Sequence, residues 1–265
     1  MYNHNLTPIE RVGDIWVKRE DKFEFAGQKG AKVRAALSFF QDNPKGVTTA
    51  GSRHSPQINI IASIASELNV PFVAHTPTGK LSEEVKLAQE KGATIEQHQY
   101  GYNNVIKARA REFANQSGYL EVPFGMISEK SVELTANQVQ NLPSGIKRIV
   151  VPVGSGVCLS GVLHGLLQQQ INIPVLGIQV GANPTRTLNA FAPFGWQGMC
   201  EIVKSPLEYS TYVSDCTYEG IELDPIYEAK CIPFLQPDDL FWIVGKRESS
   251  VPIKKKFRQV TVVSR

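Results

Sequence analysis

Apolar residues follow two alternating patterns along the chain. Short runs of apolar and β-branched residues predict buried strands, and between them apolar residues recur every three or four positions, as in amphipathic helices. The predicted strands cover residues 14–21, 46–50, 71–74, 93–96, 146–153, 174–180, 240–244 and 260–263, and the predicted helices residues 33–40, 58–68, 83–91, 105–113 and 159–170. Strands that alternate with helices of this length are typical of βαβ units built on parallel sheets.

Composition changes this picture little. Of the 265 residues 42% are hydrophobic and 20% charged, as in a soluble globular protein with one large domain or two smaller ones around a cleft. A formal net charge of +3 is too small to indicate a nucleic-acid partner by itself. The four cysteines are not closely paired and no histidine pattern accompanies them, so we expect no metal site and no disulfide framework. Without an apolar leader or a bilayer-length apolar run, we expect a cytoplasmic protein with no membrane contact.

A lysine among small residues lies between the first predicted strand and the first predicted helix. The stretch from Ala26 to Lys32 places Lys29 close to backbone N–H groups and to the positive end of that helix, which disfavours its ammonium form. A neutral amine is what Schiff-base chemistry requires. Lys29 is therefore a candidate catalytic residue, and the alternative is a solvated loop lysine, the usual situation of lysines.

A glycine-rich turn follows the strongly apolar strand at 146–153. Its backbone N–H groups and the end of the next helix would cradle a phosphate. A dinucleotide-binding fingerprint fits less well because Leu159 stands at its third glycine position, and a Walker loop is excluded because no Gly-Lys-Ser/Thr follows. The alternative is a tight turn that uses glycine only for its backbone freedom. The turn consists of Gly154, Ser155, Gly156, Val157 and Cys158.

Polar residues also follow the predicted strand at 46–50. Ser52, Ser55 and Gln57 bring two hydroxyls and an amide close to a helix N-terminus, which suits a substrate carboxylate. The alternative, which is compatible with that role, is that Ser55 simply caps the helix and Pro56 is its first residue.

A fourth stretch runs from Glu219 to Lys230. Asp224 and Pro225 predict the start of a helix with Tyr227 and Glu228 in its first turn. By itself this stretch indicates only a helix.

Together the four stretches resemble motifs of the fold-type II pyridoxal-phosphate enzymes, in particular the aminocyclopropane-carboxylate deaminase and D-cysteine desulfhydrase family. Lys-Arg-Glu-Asp at 18–21 and Ala-Gly-Gln-Lys at 26–29 are similar to the family's Lys-Arg-Glu-Asp and Gly-Gly-Asn-Lys. His-Ser-Pro-Gln at 54–57 is similar to Gln-Ser-Asn-His/Gln, and Gly-Ser-Gly-Val-Cys at 154–158 to Gly-Ser-Gly-Gly-Thr. Leu-Asp-Pro-Ile-Tyr-Glu at 223–228 is similar to Leu-Asp-Pro-Val-Tyr-Glu/Thr. The motifs occur in the family's order and cover most of the chain.

The resemblance implies an α/β fold of two open-sheet domains with the cofactor cleft between them, similar to tryptophan synthase β. We expect residues 1–42 and 122–265 to form the larger, cofactor-binding domain and residues 43–121 the smaller α/β domain. The resemblance also implies pyridoxal 5′-phosphate as the cofactor and a homodimer.

The family's roles, carried to matching positions, give a candidate site. Lys29 would hold the cofactor and later move a proton at the substrate's α-carbon; Lys32 competes for this role because Lys-Val-Arg-Ala at 32–35 is similar to Lys-x-Arg-Gly of other fold-type II enzymes. Glu228 would pair with the pyridine nitrogen, and Tyr227 would act as an acid or assist a nucleophile. The remaining roles are phosphate binding by Gly154, Ser155, Gly156, Val157 and Cys158, and substrate binding by Ser52, Ser55 and Gln57, with Ser55 also catalytic.

The chain departs from the family around the expected cleft. Pro56 replaces an asparagine, Val157 and Cys158 replace Gly-Thr, Val-Gly-Lys at 244–246 replaces Thr-Gly-Gly, and a helix before Glu219 is missing. This smaller frame would leave a more open mouth, and the basic run 254–258 could then meet a polyanion. The alternative is a shortened deaminase whose lysines only solvate a surface.

The expected function is that of a pyridoxal-phosphate-dependent lyase or deaminase acting at the α-carbon of a small amino acid. The first alternative is a related enzyme whose amino-acid group is attached to a larger molecule, such as a modified nucleotide or DNA. The second is a non-catalytic phosphate- or nucleotide-binding domain.

Overall fold

The computed structural model describes residues 5–52, 55–99 and 102–248. The predicted strand at 260–263 and the basic run at 254–258 lie outside these residues. Every other predicted strand, and every helix predicted from apolar spacing, is present with ends that differ by a few residues.

Strands and helices alternate along the described part of the chain. The strands are β1 (Ile9–Val12), β2 (Ile15–Arg19), β3 (Glu24–Phe25), β4 (Gln28–Gly30), β5 (Val47–Ala50), β6 (Phe72–Pro77), β7 (Thr94–His98), β8 (Leu120–Val122), β9 (Arg148–Val153), β10 (Val175–Gln179), β11 (Cys200–Lys204), β12 (Thr217–Tyr218), β13 (Ile221–Glu222), β14 (Asp239–Ile243) and β15 (Gly245–Lys246). The α-helices are α1 (Ala31–Leu37), α2 (Gln57–Glu67), α3 (Glu83–Glu90), α4 (Asn103–Ser117), α5 (Glu129–Ala136), α6 (Val157–Gln168) and α7 (Thr185–Phe191).

The larger sheet has six strands in the order β1-β2-β14-β9-β10-β11. β1 runs antiparallel to β2, and all other neighbours are parallel. Both faces are covered, because alternate residues of β14 enter different hydrophobic clusters: Leu240 and Trp242 pack in the cluster that contains α6, and Phe241 and Ile243 in the cluster that contains Ile226. A strand buried on both faces reads as a continuous apolar run, which is the pattern seen in the sequence.

The smaller sheet has four parallel strands in the order β7-β6-β5-β8. Its apolar cluster includes side chains of α1, α2 and α3, such as Val33, Ile61 and Val85. The two open α/β sheets confirm the predicted fold class. α1 lies before residue 43 in the sequence, yet it packs in this cluster, so the packing crosses the predicted boundary. The domain boundaries at 43 and 121 stay a prediction.

Three of the four motifs found in the sequence follow the carboxyl ends of parallel strands, β2, β5 and β9, and the fourth, at residues 219–230, lies before β14. Ligands of open α/β sheets bind at such edges, because the strand ends and the helix N-termini meet there. None of the described helices is both long enough and apolar enough to cross a bilayer. All four cysteines are free thiols.

A small antiparallel sheet, β15-β4-β3, pairs residues 28–30 with residues 24–25 on one side and 245–246 on the other. It requires glycine at position 30, where φ is +116° and a Cβ atom would lie 2.5 Å from the Gly245 Cα and the Val244 oxygen. We expect Gly30→Ala to lower the free energy of unfolding by about 2–5 kcal/mol, because it combines backbone strain with a clash against backbone. Gly27→Ala is the matched control: φ there is +74° but nothing lies within 4 Å, so strain alone should cost about 1–2 kcal/mol. Urea unfolding of both variants measures the difference, and equal losses would contradict the role given to β15.

Candidate functional site

A cleft lies at the carboxyl ends of the strands and encloses about 860 Å³, counting its mouth open to solvent. Its walls come from the start of α1, the 125–126 turn with α5, the turn between β9 and α6, the stretch 224–228, and β15.

Lys32, in the first turn of α1, points its amino group into this cleft. The Nζ atom lies 5.4 Å from the ring centroid of Tyr227. Burial lowers the pKa of Lys32, although the carboxylates of Asp224 and Glu228 oppose the shift. An amine in such a setting is neutral more often than a surface lysine, which makes it a better nucleophile.

Lys29 lies three residues earlier, in β4 rather than in a loop, at the rim of the cleft. Its side chain is 46% exposed, and its Nζ lies 3.3 Å from the Glu24 carboxylate, itself exposed. These are the surroundings of a surface lysine. The geometry therefore favours Lys32, the competing lysine of the sequence analysis, over Lys29.

A buried ion pair fixes the start of α1. Arg34 of this helix pairs with Glu20, which directly follows β2, and both side chains are almost fully buried. The Lys-Arg-Glu-Asp run and the helix that carries Lys32 are thus held together through charge. Removing one partner of such a pair leaves an uncompensated buried charge, which typically costs 3–5 kcal/mol.

The glycine-rich turn between β9 and α6 lines the cleft with all five of its residues. Gly156 precedes α6 with φ of +91°, and the turn contains no carboxylate. A Cβ atom on Gly154 would lie 2.9 Å from the ring of Tyr227, so this position must be glycine for the tyrosine to pack there. Burial raises the pKa of the Cys158 thiol, which keeps it neutral and unreactive. The turn presents backbone N–H groups and the positive end of a 12-residue helix, the arrangement that binds phosphates.

The stretch around Asp224 forms a turn and then a 3-10 helix, Glu228–Phe234, rather than the predicted helix from Asp224. The reason is the Asp224 side chain, whose Oδ1 accepts hydrogen bonds from the backbone of Ile226 (2.8 Å) and Tyr227 (3.0 Å) and so closes a local turn. The correction moves the helix start by a few residues and leaves Tyr227 and Glu228 facing the cleft.

Glu228 is buried and its Oε1 accepts hydrogen bonds from the backbone of Val244 (3.0 Å) and Gly245 (3.3 Å). Burial, followed by the negative charge of Asp224, raises the pKa of Glu228 to about 8, against the effect of those hydrogen bonds. Burial and the neighbouring Tyr209 likewise raise the pKa of Tyr227 well above its usual value. Both groups therefore carry protons near neutral pH.

Arg247 connects this stretch to the smaller sheet. Its guanidinium bonds Asp224 through Nε at 2.7 Å and lies 3.8 Å from the carboxylate of Glu84 in α3. All three side chains are buried. Asp224 is thus paired with a buried arginine, and it serves the architecture around Glu228.

The polar residues before α2 are engaged in the fold. Gln57 donates to the Thr49 hydroxyl and the Pro123 carbonyl and accepts from the Gly125 backbone at 2.7 Å, so its amide positions the 123–125 turn. The Ser55 hydroxyl accepts from the Gln57 backbone at 3.3 Å, as in the capping alternative, and α2 begins at Gln57, one residue later than expected. Of this segment's described residues, Pro56 lines the cleft, whereas Ser52, Ser55 and Gln57 do not.

Three parts of the cleft were missed by the sequence analysis. The 125–126 turn and α5 contribute walls, and α5 was detectable from Ser128, whose hydroxyl accepts from the Ser131 backbone as an N-cap. Residues 244–246, which include β15, were noted only as a departure from a motif. Arg247 had no local signal, because its partners come from distant parts of the chain.

The buried amine, the phosphate-type helix end and the protonated carboxyl agree with a comparison of the chain with known families. The family described as PALP, pyridoxal-phosphate dependent enzyme, matches residues 3–193. The chain belongs to this family.

Individual relatives agree with that assignment. The chain is 25% identical to the O-seryl-dTMP PLP-dependent decarboxylase of Salmonella phage ViI, over 96% of this chain and 84% of the phage protein. Among solved structures, an ACC deaminase homologue matches with a TM-score of 0.77 and 21% identity, covering 91% of this chain and 89% of that one. Serine racemase from Dictyostelium discoideum matches with a TM-score of 0.66 and 14% identity, covering 92% and 93%. The resemblance, the fold-type II architecture and the cofactor expected from the motifs are confirmed.

The residues of this pyridoxal-phosphate-dependent enzyme fit the cofactor. A buried lysine amine suits its aldehyde, the turn at the start of α6 suits its phosphate, and the protonated carboxyl of Glu228 suits a pyridine nitrogen. When bound, the cofactor supplies an electron sink for bond breaking at the α-carbon of an amino acid.

Proposed function

We propose that this enzyme removes the carboxylate from an amino acid carried by a nucleotide, with Lys32 as the lysine that holds pyridoxal phosphate. The observation that supports a nucleotide-linked substrate is a basic rim at the mouth of the cleft. The curated phage relative, named for an O-seryl-dTMP decarboxylase, supports the reaction.

The basic rim consists of Lys29 and Lys246. β4 and β15 are antiparallel, and their register sets these two residues opposite each other. Both lysines border the cleft, with side chains 46% and 41% exposed. Two ammonium groups side by side suit a doubly charged phosphate better than a single carboxylate.

Each rim lysine contacts an exposed carboxylate, Lys29 that of Glu24 and Lys246 that of Glu222. Pairs between exposed groups contribute about 0–1 kcal/mol, so a phosphate displaces them at little cost. The rim is therefore available to an anionic substrate, and a free neutral amino acid would leave it unused.

The reaction breaks the bond between the α-carbon and the carboxylate, releases carbon dioxide and places a proton on the α-carbon. Lys32 and Tyr227 face the cleft and serve as its proton carriers at the α-carbon: the amine can take up and return a proton, and the phenol keeps its own because its pKa is raised. Gly154, Ser155, Gly156, Val157 and Cys158 bind the cofactor's phosphate, and Glu228 holds its ring nitrogen.

One panel of substrates tests this function: a seryl-modified thymidine nucleotide, the matching nucleoside without phosphate, serine, D-cysteine and aminocyclopropane carboxylate. We expect carbon dioxide from the nucleotide and slower release from the nucleoside. Ammonia or keto acid from the free amino acids alone would instead establish the lyase or deaminase activity expected from the sequence. A protein that takes up pyridoxal phosphate and turns over none of the panel would contradict both.

The rim gives a separate prediction. Lys29→Ala and Lys246→Ala should each raise the KM for the nucleotide about tenfold, because each removes a charge-assisted contact to phosphate of about 1.4 kcal/mol. kcat and the KM for the nucleoside should change little. Lys147→Ala, an exposed lysine paired with Asp238, is the matched control. A loss of kcat with an unchanged KM would show that the rim does not bind phosphate.

A further inference from the structure

Two histidines and a glutamate cluster at the carboxyl edge of the smaller sheet. β6 and β7 are parallel, with His75 aligned to Glu96 and Pro77 to His98. Aligned residues of neighbouring strands share a face, and so do residues two apart on one strand. His75, Glu96 and His98 therefore point to the same face, and none of them borders the cleft.

The three side chains bring their donor atoms together. The Nδ1 atom of His75 lies 2.8 Å from Nε2 of His98 and 3.5 Å from Oε2 of Glu96. One donor atom from each residue lies within 4.8 Å of the other two. Zinc binds imidazole nitrogen and carboxylate oxygen at about 2.0–2.2 Å, which sets tetrahedral ligands roughly 3.3 Å apart. The two rings are nearly coplanar, with centroids 5.1 Å apart, so a tilt of the imidazoles and a rotation of the glutamate side chain would be needed to aim all three donors at one ion.

Burial and charge favour a cation at this point. His75 is 1% exposed and packs against the ring of Phe113, with centroids 5.3 Å apart. The Nε2 atom of His75 has no hydrogen-bond partner among the described residues, so the polar contacts of this ring all lie on its Nδ1 side. Glu96 is 42% exposed, which leaves a path from solvent.

The contact between the two imidazoles brings ring nitrogens together, with the carboxylate of Glu96 beside them. A divalent ion would accept all three lone pairs at once and balance the carboxylate's charge. Two nitrogens and one oxygen are the ligand types of zinc rather than of magnesium or calcium.

We propose that His75, Glu96 and His98 bind a zinc ion, with water in the fourth position. The ion would join β6 to β7. It would also steady the end of β5, because the backbone N–H of Gly51 donates to the carbonyl of His75 at 3.0 Å. From Gly51 the chain continues to Pro56 in the wall of the cleft, so the metal supports the scaffold beside the cofactor without taking part in the reaction.

Metal titration of the holoenzyme tests the site. The enzyme is first dialysed against a chelator, and zinc binding is then followed by calorimetry. Mass spectrometry counts the bound metal. The cofactor's absorption shows whether zinc binds directly to the cofactor. We expect one zinc per chain, a higher midpoint of thermal unfolding and unchanged cofactor absorption. His98→Gln and Glu96→Gln, both at half-buried positions, should fold normally and bind zinc about 100-fold more weakly.

His164→Gln, at a half-buried position in α6, is the matched control and should bind zinc as the unaltered enzyme does. A titration without stoichiometric binding would overturn the proposal. The proposal would also fail if the His98 and Glu96 variants bound zinc as tightly as the unaltered enzyme. It would fail likewise if zinc changed the cofactor's absorption to the same extent in every protein.

Discussion

Lys32→Ala should lower turnover roughly 10⁴-fold, the upper range for removing an acid–base group, and should abolish the covalent link to the cofactor. The reason is that Lys32 is the described lysine whose amine combines burial in the cleft with a lowered pKa. Lys29→Ala should keep both the link and most of kcat, because its amine is exposed and paired with Glu24.

Borohydride reduction followed by intact-mass measurement separates the two lysines. The unaltered enzyme and Lys29→Ala should each gain one reduced cofactor, and Lys32→Ala should gain none. The cofactor's absorption should likewise be the same in the unaltered enzyme and Lys29→Ala, and different in Lys32→Ala. If Lys32→Ala is labelled and Lys29→Ala is not, the sequence-based assignment of Lys29 is correct and the roles proposed for both lysines fail.

Glu228→Gln should retain the cofactor but lose turnover by roughly 10²–10³-fold, as when one preorganised electrostatic contact is removed. A carboxyl with a pKa of about 8 can share its proton with a ring nitrogen and keep the ring a strong electron sink, whereas an amide cannot. Steady-state kinetics on the preferred substrate measures the loss, and full activity in this variant would refute the pairing. Glu201→Gln, an exposed carboxyl on β11, is the control.

The same variant has a signature in the enzyme without cofactor. The pKa of Glu228 rises from about 4.5 in the unfolded chain to about 8 in the folded one, so the folded state binds more protons in this interval. Its contribution to stability therefore falls as pH rises from about 4.5 to about 8. Glu228→Gln should lose that part of the pH dependence in urea unfolding, and Glu201→Gln should keep it.

Much of the fold could be predicted from the sequence, because it depends on local patterns. A strand buried on both faces must be apolar throughout, and this condition identified β9 and β14. Gly156, with φ of +91°, occupies a conformation that other residues rarely adopt, which is why glycine signalled the turn between β9 and α6. Short elements such as β4, β8 and β15 carried too few residues for a periodic signal and exist only through their pairing.

The candidate site depended more on tertiary structure. Lys29 and Lys32 lie three residues apart among the same small neighbours, and no local property separates them. The separation comes from burial of the Lys32 amine, on which Asp224, Glu228 and Arg247, about two hundred residues along the chain, also act electrostatically.

The role of Gln57 and the existence of the histidine cluster also depended on tertiary structure. The polarity of Gln57 suited a substrate carboxylate, but packing against Thr49, Pro123 and Gly125 uses its amide for the fold. His75 and His98 carried no motif, because only the register of two parallel strands brings them within hydrogen-bonding distance. The sequence alone determined the alternation of strands and helices, the cofactor and the phosphate turn, since short-range sterics and apolar burial act on neighbouring residues. The identity of the buried lysine, the proton on Glu228 and the histidine cluster were decided by tertiary structure, since desolvation and charge depend on groups that only folding brings together.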